Sequence, residues 1–226
     1  DFVIADKYVL PEELTKYFTE KPLYVEGSFI PLPYEKIEGH GTTRQAHALP
    51  EGAFVMAAFG NVYKITPHML DAWINILQSN DNTVLWLIDD NDTTTGMIRN
   101  HMRRSNISTE RVIFTKRASH QEYQSKLALA DVFLDNFPYN CGSTTRDVLN
   151  QGVPLITLSG RSMVSRMGGG ILKSLGLEEL ITHSTDEYIA KVLHYAEHQD
   201  ALKQLKDRVT KSLPNLQKKK STIASS

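Results

Sequence analysis

Continuous apolar runs alternate along this chain with segments of helical period, and that alternation leaves few folds open. The runs cover residues 53–59, 83–88, 111–115, 131–134 and 154–158, with a short one at 180–182 behind them. They are unbroken rather than alternating, as expected of strands covered on both faces. Between them, residues 67–78, 93–105, 119–130, 143–151 and 165–175 carry apolar residues at helical spacing, Met69, Trp73, Ile76 and Leu77 in the first. Thr66-Pro67 offers that helix an N-cap and a proline at its first position, where a missing N–H costs nothing. Strand–helix alternation of this kind winds into an open α/β fold, a doubly wound parallel sheet with helices on its faces.

The flanks read differently. Short strands are expected at 2–5 and 23–25, with a proline-started helix at 11–17 between them. Residues 26–50 are irregular, with Pro31, Pro33 and Pro50, and read as a connection between domains. The polar end, 212–226, carries Lys218-Lys219-Lys220 without a helical apolar face, and a disordered tail is expected there.

Composition excludes several function classes. A net charge of −1 over 226 residues gives no broad basic face for nucleic acid. Cys141 is the only cysteine, so no internal disulfide framework forms and a reducing, cytoplasmic setting is expected. No apolar run approaches the roughly 20 residues of a membrane span. The opening residues lack the basic start and long apolar core of a signal peptide and look like a strand entered midway.

Ligands of wound sheets bind at the carboxyl ends of the strands. Three segments there carry promising residues: 60–64, 116–120 and 136–144. The last is the most informative. From Leu134-Asp135 it passes through Pro138, Asn140 and Gly142, then opens a helix with Ser143-Thr144-Thr145 and places Asp147 one turn in. A small-residue loop feeding a helix start presents free N–H groups and the positive end of the helix dipole, a cradle for phosphate. Lys64, between a strand end and a helix start, can reach an anion at the same edge as a compact cation. Asp147 can accept from ribose hydroxyls. Gly168-Gly169-Gly170 costs roughly 1 kcal/mol per glycine inside a helix, which points to close approach by another backbone or a ligand, or to an irregular helix start. The eight histidines are scattered and Cys141 stands alone, so no metal site is expected.

Tyr63-Lys64-Ile65-Thr66-Pro67, Val84-Leu85-Trp86-Leu87, Arg111-Val112-Ile113-Phe114, residues 129–135, Pro138-Tyr139-Asn140, residues 152–158 and Ser165-Arg166 occur in that order and spacing. Together they resemble the carboxyl-terminal half of the catalytic region of the O-linked N-acetylglucosamine transferase (SPINDLY-like) family, from Phe2 to about Val209. The resemblance implies the Rossmann-like carboxyl-terminal lobe of a GT-B glycosyltransferase, binding a UDP-sugar and transferring sugar to protein Ser or Thr. It divides the chain into a remnant of the amino-terminal lobe with its connector (1–45), a nucleotide-sugar-binding lobe (46–211) and the tail (212–226). It further implies that Lys64 contacts the diphosphate and takes the catalytic role. Asn61 falls at the donor, Ala118 and His120 at the uracil, Ser143 and Thr144 at the phosphates, and Asp147 at the ribose. Tyr123 and Lys126 stand where members carry His and Arg near the base and ribose. Gly142 stands where a His often precedes the paired threonines. No metal or cofactor is implied. The family's partners are protein acceptors, an amino-terminal lobe and tetratricopeptide repeats, and the chain is expected to be a fragment, inactive alone. UDP-glucose and GDP-fucose remain open as donors, and so does a nucleotide-binding regulatory module without catalysis.

Overall fold

The computed structural model describes residues 1–30 and 41–214. Pro31, Pro33 and the lysine run of the tail lie outside the described residues. A small parallel pair opens the chain, β1 (Phe2–Ala5) and β2 (Lys21–Tyr24), with a 3-10 turn over Glu12–Tyr17 between them. The second strand begins earlier than expected and takes Pro22 into the pair opposite Val3.

The main sheet has six strands: β3 (Phe54–Ala58), β4 (Thr83–Asp89), β5 (Val112–Lys116), β6 (Val132–Leu134), β7 (Leu155–Leu158) and β8 (Ile181–Thr182). Their order is β5-β4-β3-β6-β7-β8, and every pairing is parallel. Each residue of β3, β6 and β7 is buried, which is why the runs carry no polar alternation. The crossovers are α1 (Pro67–Ser79), α2 (Asp92–Arg104), α3 (His120–Leu127), α4 (Ser143–Asn150) and α5 (Met167–Ser174). Trp73, Trp86, Phe133 and Tyr188 are fully buried at the centre, and Phe59 meets Trp86 edge-on at 4.8 Å.

The segment expected as one helix at 165–175 is divided into a 3-10 turn, Met163–Ser165, and α5, which contains all three glycines. A Cβ at Gly168 would lie 2.6 Å from Asp135 Oδ2, one at Gly169 2.6 Å from the Tyr8 ring, and one at Gly170 2.7 Å from Val9. The glycines thus admit protein side chains. The segment leaving β1 lies down on α5: Asp6 accepts from the N–H groups of Tyr8, Val9 and Phe29, and the Tyr8 hydroxyl donates to Ser159 Oγ at 2.9 Å. Arg166 Nε donates to the Tyr8 carbonyl at 2.6 Å.

The sequence reading assigns no helix to residues 183–211. The chain nevertheless forms α6 (Thr185–Glu197) and α7 (Gln199–Ser212), which bury Tyr188 and Val192, and Leu202, Leu205 and Val209. Leu213, read as part of the tail, is buried too. Among the described residues no helix is long and apolar enough to cross a membrane.

Arg44, within the stretch read as a connection, straps the sheet's amino-terminal edge. Its guanidinium donates to the carbonyls of Leu129, Glu51 and Ala53 and pairs with Asp131 at 2.8 Å. Asp131 also accepts from the Val55 N–H at 2.8 Å and pairs with Lys206 at 3.2 Å. Arg44→Met keeps the aliphatic stem and strands these acceptors. We expect a loss of about 2–3 kcal/mol in urea unfolding, as for bonds to a charged group. An unchanged midpoint would mean that water replaces the strap.

Candidate functional site

The strand order reverses between β3 and β6, and open α/β sheets bind ligands in the crevice beyond the strand ends at such a point. Two loops line it, 59–66 after β3 and 135–142 after β6. They touch: a Cβ at Gly60 would fall 2.3 Å from Asn136 Nδ2, so this position needs glycine.

The second loop is built around Asp135. Its buried carboxylate accepts from the N–H groups of Asn136 (2.9 Å) and Cys141 (2.7 Å) and from the Thr157 hydroxyl (2.7 Å). Asn140 Nδ2 donates to the carbonyls of Asn136 (2.8 Å) and Leu158 (3.2 Å). Burial outweighs those bonds and raises the Asp135 pKa to about 6. Burial, with Asp135 beside it, pushes the Cys141 thiol up, while the Lys64 charge pulls it the other way.

The loop delivers Gly142 as the N-cap of α4, where no side chain closes the helix. Thr66, Asn91, Ser119 and Ser184 do close α1, α2, α3 and α6. The N–H groups of Ser143 and Thr144 precede the first intrahelical bond and have no acceptor among the described residues, and the positive dipole end lies with them. Ser143 is exposed and Thr144 half-buried.

Lys64 comes from the 3-10 turn Val62–Lys64 and is half-buried. Its Nζ lies 3.8 Å from the centroid of the Tyr139 ring, in the loop that leads to α4. Among the described residues no carboxylate pairs with it. Asn61 opens the same turn. Its Nδ2 donates to the Tyr63 hydroxyl at 3.3 Å, and its Oδ1 accepts from Arg117 at 2.8 Å. Arg117 also holds Asp90 at 2.7 Å, tying together the loops after β3, β4 and β5. The sequence reading passed over Arg117, which shows in the sequence only as one more basic residue past a strand.

The other sequence-derived positions are placed as follows. Ala118 is half-buried and His120 exposed where the loop after β5 enters α3. Tyr123 turns inward against Phe59, with ring centroids 6.1 Å apart; burial raises its phenol, and Thr144 beside it pulls the other way. Lys126 is buried, with Nζ donating to the Lys116 carbonyl at 3.1 Å and pairing with Glu122 at 3.1 Å. Asp147 Oδ1 accepts from Nε and one terminal nitrogen of Arg146 at 3.1 and 3.0 Å. The crevice therefore gathers Asn61, Lys64, Gly142, Ser143 and Thr144, while the Lys126 ammonium is committed within the protein. His194 and His198 stand four residues apart, a spacing the scattered-histidine reading missed, and their rings stack at 4.6 Å. Among the described residues no group of three or more His, Cys, Asp or Glu is placed to hold a metal.

A family model described as Glycosyl transferase family 41 matches residues 37–222. The chain belongs to glycosyl transferase family 41. Among curated relatives, a probable UDP-N-acetylglucosamine–peptide N-acetylglucosaminyltransferase SEC from Arabidopsis thaliana is 29% identical over 91% of this chain and 22% of its own length. The UDP-N-acetylglucosamine–peptide N-acetylglucosaminyltransferase of Caenorhabditis elegans is 31% identical over 74% of this chain and 15% of its own. The chain thus spans less than a quarter of these relatives. A mutant O-GlcNAc transferase from Thermobaculum terrenum superposes with a TM-score of 0.86 at 23% identity, covering 96% of this chain and 41% of that one. A pneumococcal O-GlcNAc transferase in complex with UDP and GlcNAc matches with a TM-score of 0.61 at 14% identity, over 100% of this chain and 45% of that one. The family 41 lobe accordingly has the GT-B α/β fold expected of it.

Proposed function

We propose that the family 41 lobe binds the donor of an inverting protein O-glycosyltransferase that moves GlcNAc from UDP-GlcNAc to Ser or Thr. The observation that carries this is the half-buried Lys64, paired with no carboxylate among the described residues, in the crevice that also receives the uncapped start of α4. That pair suits a diphosphate: N–H groups and the dipole take one part of its charge, an ammonium another. As the acceptor hydroxyl attacks the anomeric carbon, charge grows on the departing UDP, and the same groups stabilise it. Ala118 and His120 fit the uracil end, and Asp147 the ribose. Protein acceptors, an amino-terminal lobe and tetratricopeptide repeats belong to the same reading of the whole enzyme, in the cytoplasm. The charge is met by protein groups, so no metal or other cofactor enters the reading.

Calorimetry with UDP tests it. UDP should bind, and EDTA should leave its affinity unchanged. Ser143→Pro should weaken it roughly tenfold or more, because proline is tolerated at a first helical position but removes an N–H that bonds a charged group. Affinity untouched by the proline, or a tenfold loss with EDTA, would overturn the metal-free cradle.

A further inference from the structure

Arg146 lies between the cradle and Asp147 on α4 and has no part in the donor reading so far. Its Nε and one terminal nitrogen both donate to Asp147 Oδ1, at 3.1 and 3.0 Å. The side chains of Arg146 and Asp147 are 30% and 14% exposed, so the pair is sheltered rather than loose on the surface. Among the described residues nothing donates to Oδ2. Tyr123, on the facing α3, is near enough for the Asp147 charge to raise its phenol further. Among the described residues, one oxygen of the carboxylate is therefore taken and the other has no donor.

A ribose offers two vicinal hydroxyls, and a carboxylate with both oxygens free can accept from both. We propose that Arg146 is a specificity-determining residue of the donor site: by holding Oδ1 it denies the ribose a grip by both oxygens and leaves it Oδ2, so Asp147 favours one ribose hydroxyl over the other. The inference rests on the donor reading above. Arg146 acts through Asp147 and is a positioning residue, since it fixes which oxygen faces the nucleoside.

The experiment is a set of calorimetric titrations with UDP, 2′-deoxy-UDP and 3′-deoxy-UDP on the wild-type chain, Arg146→Met and Arg146→Lys. In the wild type, loss of one hydroxyl should weaken binding about tenfold, the size of a bond to a charged acceptor, and loss of the other less than about twofold. Arg146→Met frees Oδ1, so both deoxy compounds should then bind more weakly than UDP. Arg146→Lys keeps a cation on Oδ1 and should keep the one-hydroxyl pattern. Four results overturn the inference: both hydroxyls counting equally in the wild type, neither counting, Arg146→Met weakening all three ligands alike, or Arg146→Met leaving the pattern unchanged. The donor reading survives each of them provided UDP binds. If UDP does not bind the wild type, the donor reading fails and this inference fails with it. If Arg146→Met does not fold, Arg146→Gln replaces it, and a wild type that reads both hydroxyls equally, or neither, already overturns the inference.

Discussion

Lys64→Ala is expected to weaken UDP binding by roughly ten- to a hundredfold and to leave the weaker binding of uridine nearly unchanged. A charge-assisted bond to phosphate is worth roughly 1.5–3 kcal/mol, and each 1.4 kcal/mol is a factor of ten. The effect falls in the upper part of that range because the ammonium is already partly desolvated: it is half-buried and sits 3.8 Å over Tyr139, with no carboxylate among the described residues to satisfy it. Nothing need be broken for it to meet an anion. Uridine carries no phosphate, so its affinity serves as the control. Equal losses for both ligands in paired titrations would show that the substitution had disturbed the turn Val62–Lys64 instead. Rising salt should weaken UDP as well, since the crevice is open and its charges are screened.

Asp135→Asn is expected to stabilise the protein at neutral pH. The folded chain holds this carboxyl at about 6 against an ordinary 3.8, so folding favours the protonated form. Its contribution to stability is therefore fully present below the ordinary value and is lost as pH rises through about 6. The gap of about two units corresponds to about 3 kcal/mol, an order-of-magnitude figure for the cost of the charged form at pH 7. Asparagine keeps an oxygen for the Asn136 and Cys141 N–H groups and can donate to Thr157, so the loop retains its shape while the buried charge disappears. Urea unfolding of both proteins from pH 4 to 7 isolates the effect. The variant's advantage should be greatest at pH 7 and vanish toward pH 4. A variant less stable at every pH would mean that the N–H groups hold the carboxylate better than burial penalises it.

These two residues differ in how far the sequence betrays them. Lys64 was legible: it follows a continuous apolar run and precedes Thr66-Pro67, so its place at a strand's carboxyl end follows from local pattern. Ser143 and Thr144 were legible for the same reason. Asp135 reads in the sequence as the polar residue that ends a strand. Its role appears only when β7 brings Thr157 to one oxygen and the loop curls back so that Cys141 reaches the other. Lys126 and Tyr123 show the converse. Their spacing on α3 is plain, but whether a side chain turns to the crevice or to the core depends on what packs against the helix, here Phe59 and the Lys116 carbonyl.

The sequence by itself determined the doubly wound parallel sheet, because unbroken apolar runs separated by amphipathic helices can be buried in few other ways. It also determined which strand ends carry the candidate site, and the small-residue, hydroxyl-rich start of α4, whereas the structure showed that no side chain caps that start. Only the tertiary structure decided what needs partners distant in the chain. The triple glycine of α5 makes room for Asp6–Val9, and Arg44 belongs to the sheet's edge through Asp131. Arg117 binds three loops into one rim, and Arg146 claims half of Asp147. Periodicity records which face a residue shares with its neighbours along the chain. It carries no information about which side chain, contributed from a hundred residues away, will arrive to fill or oppose that face.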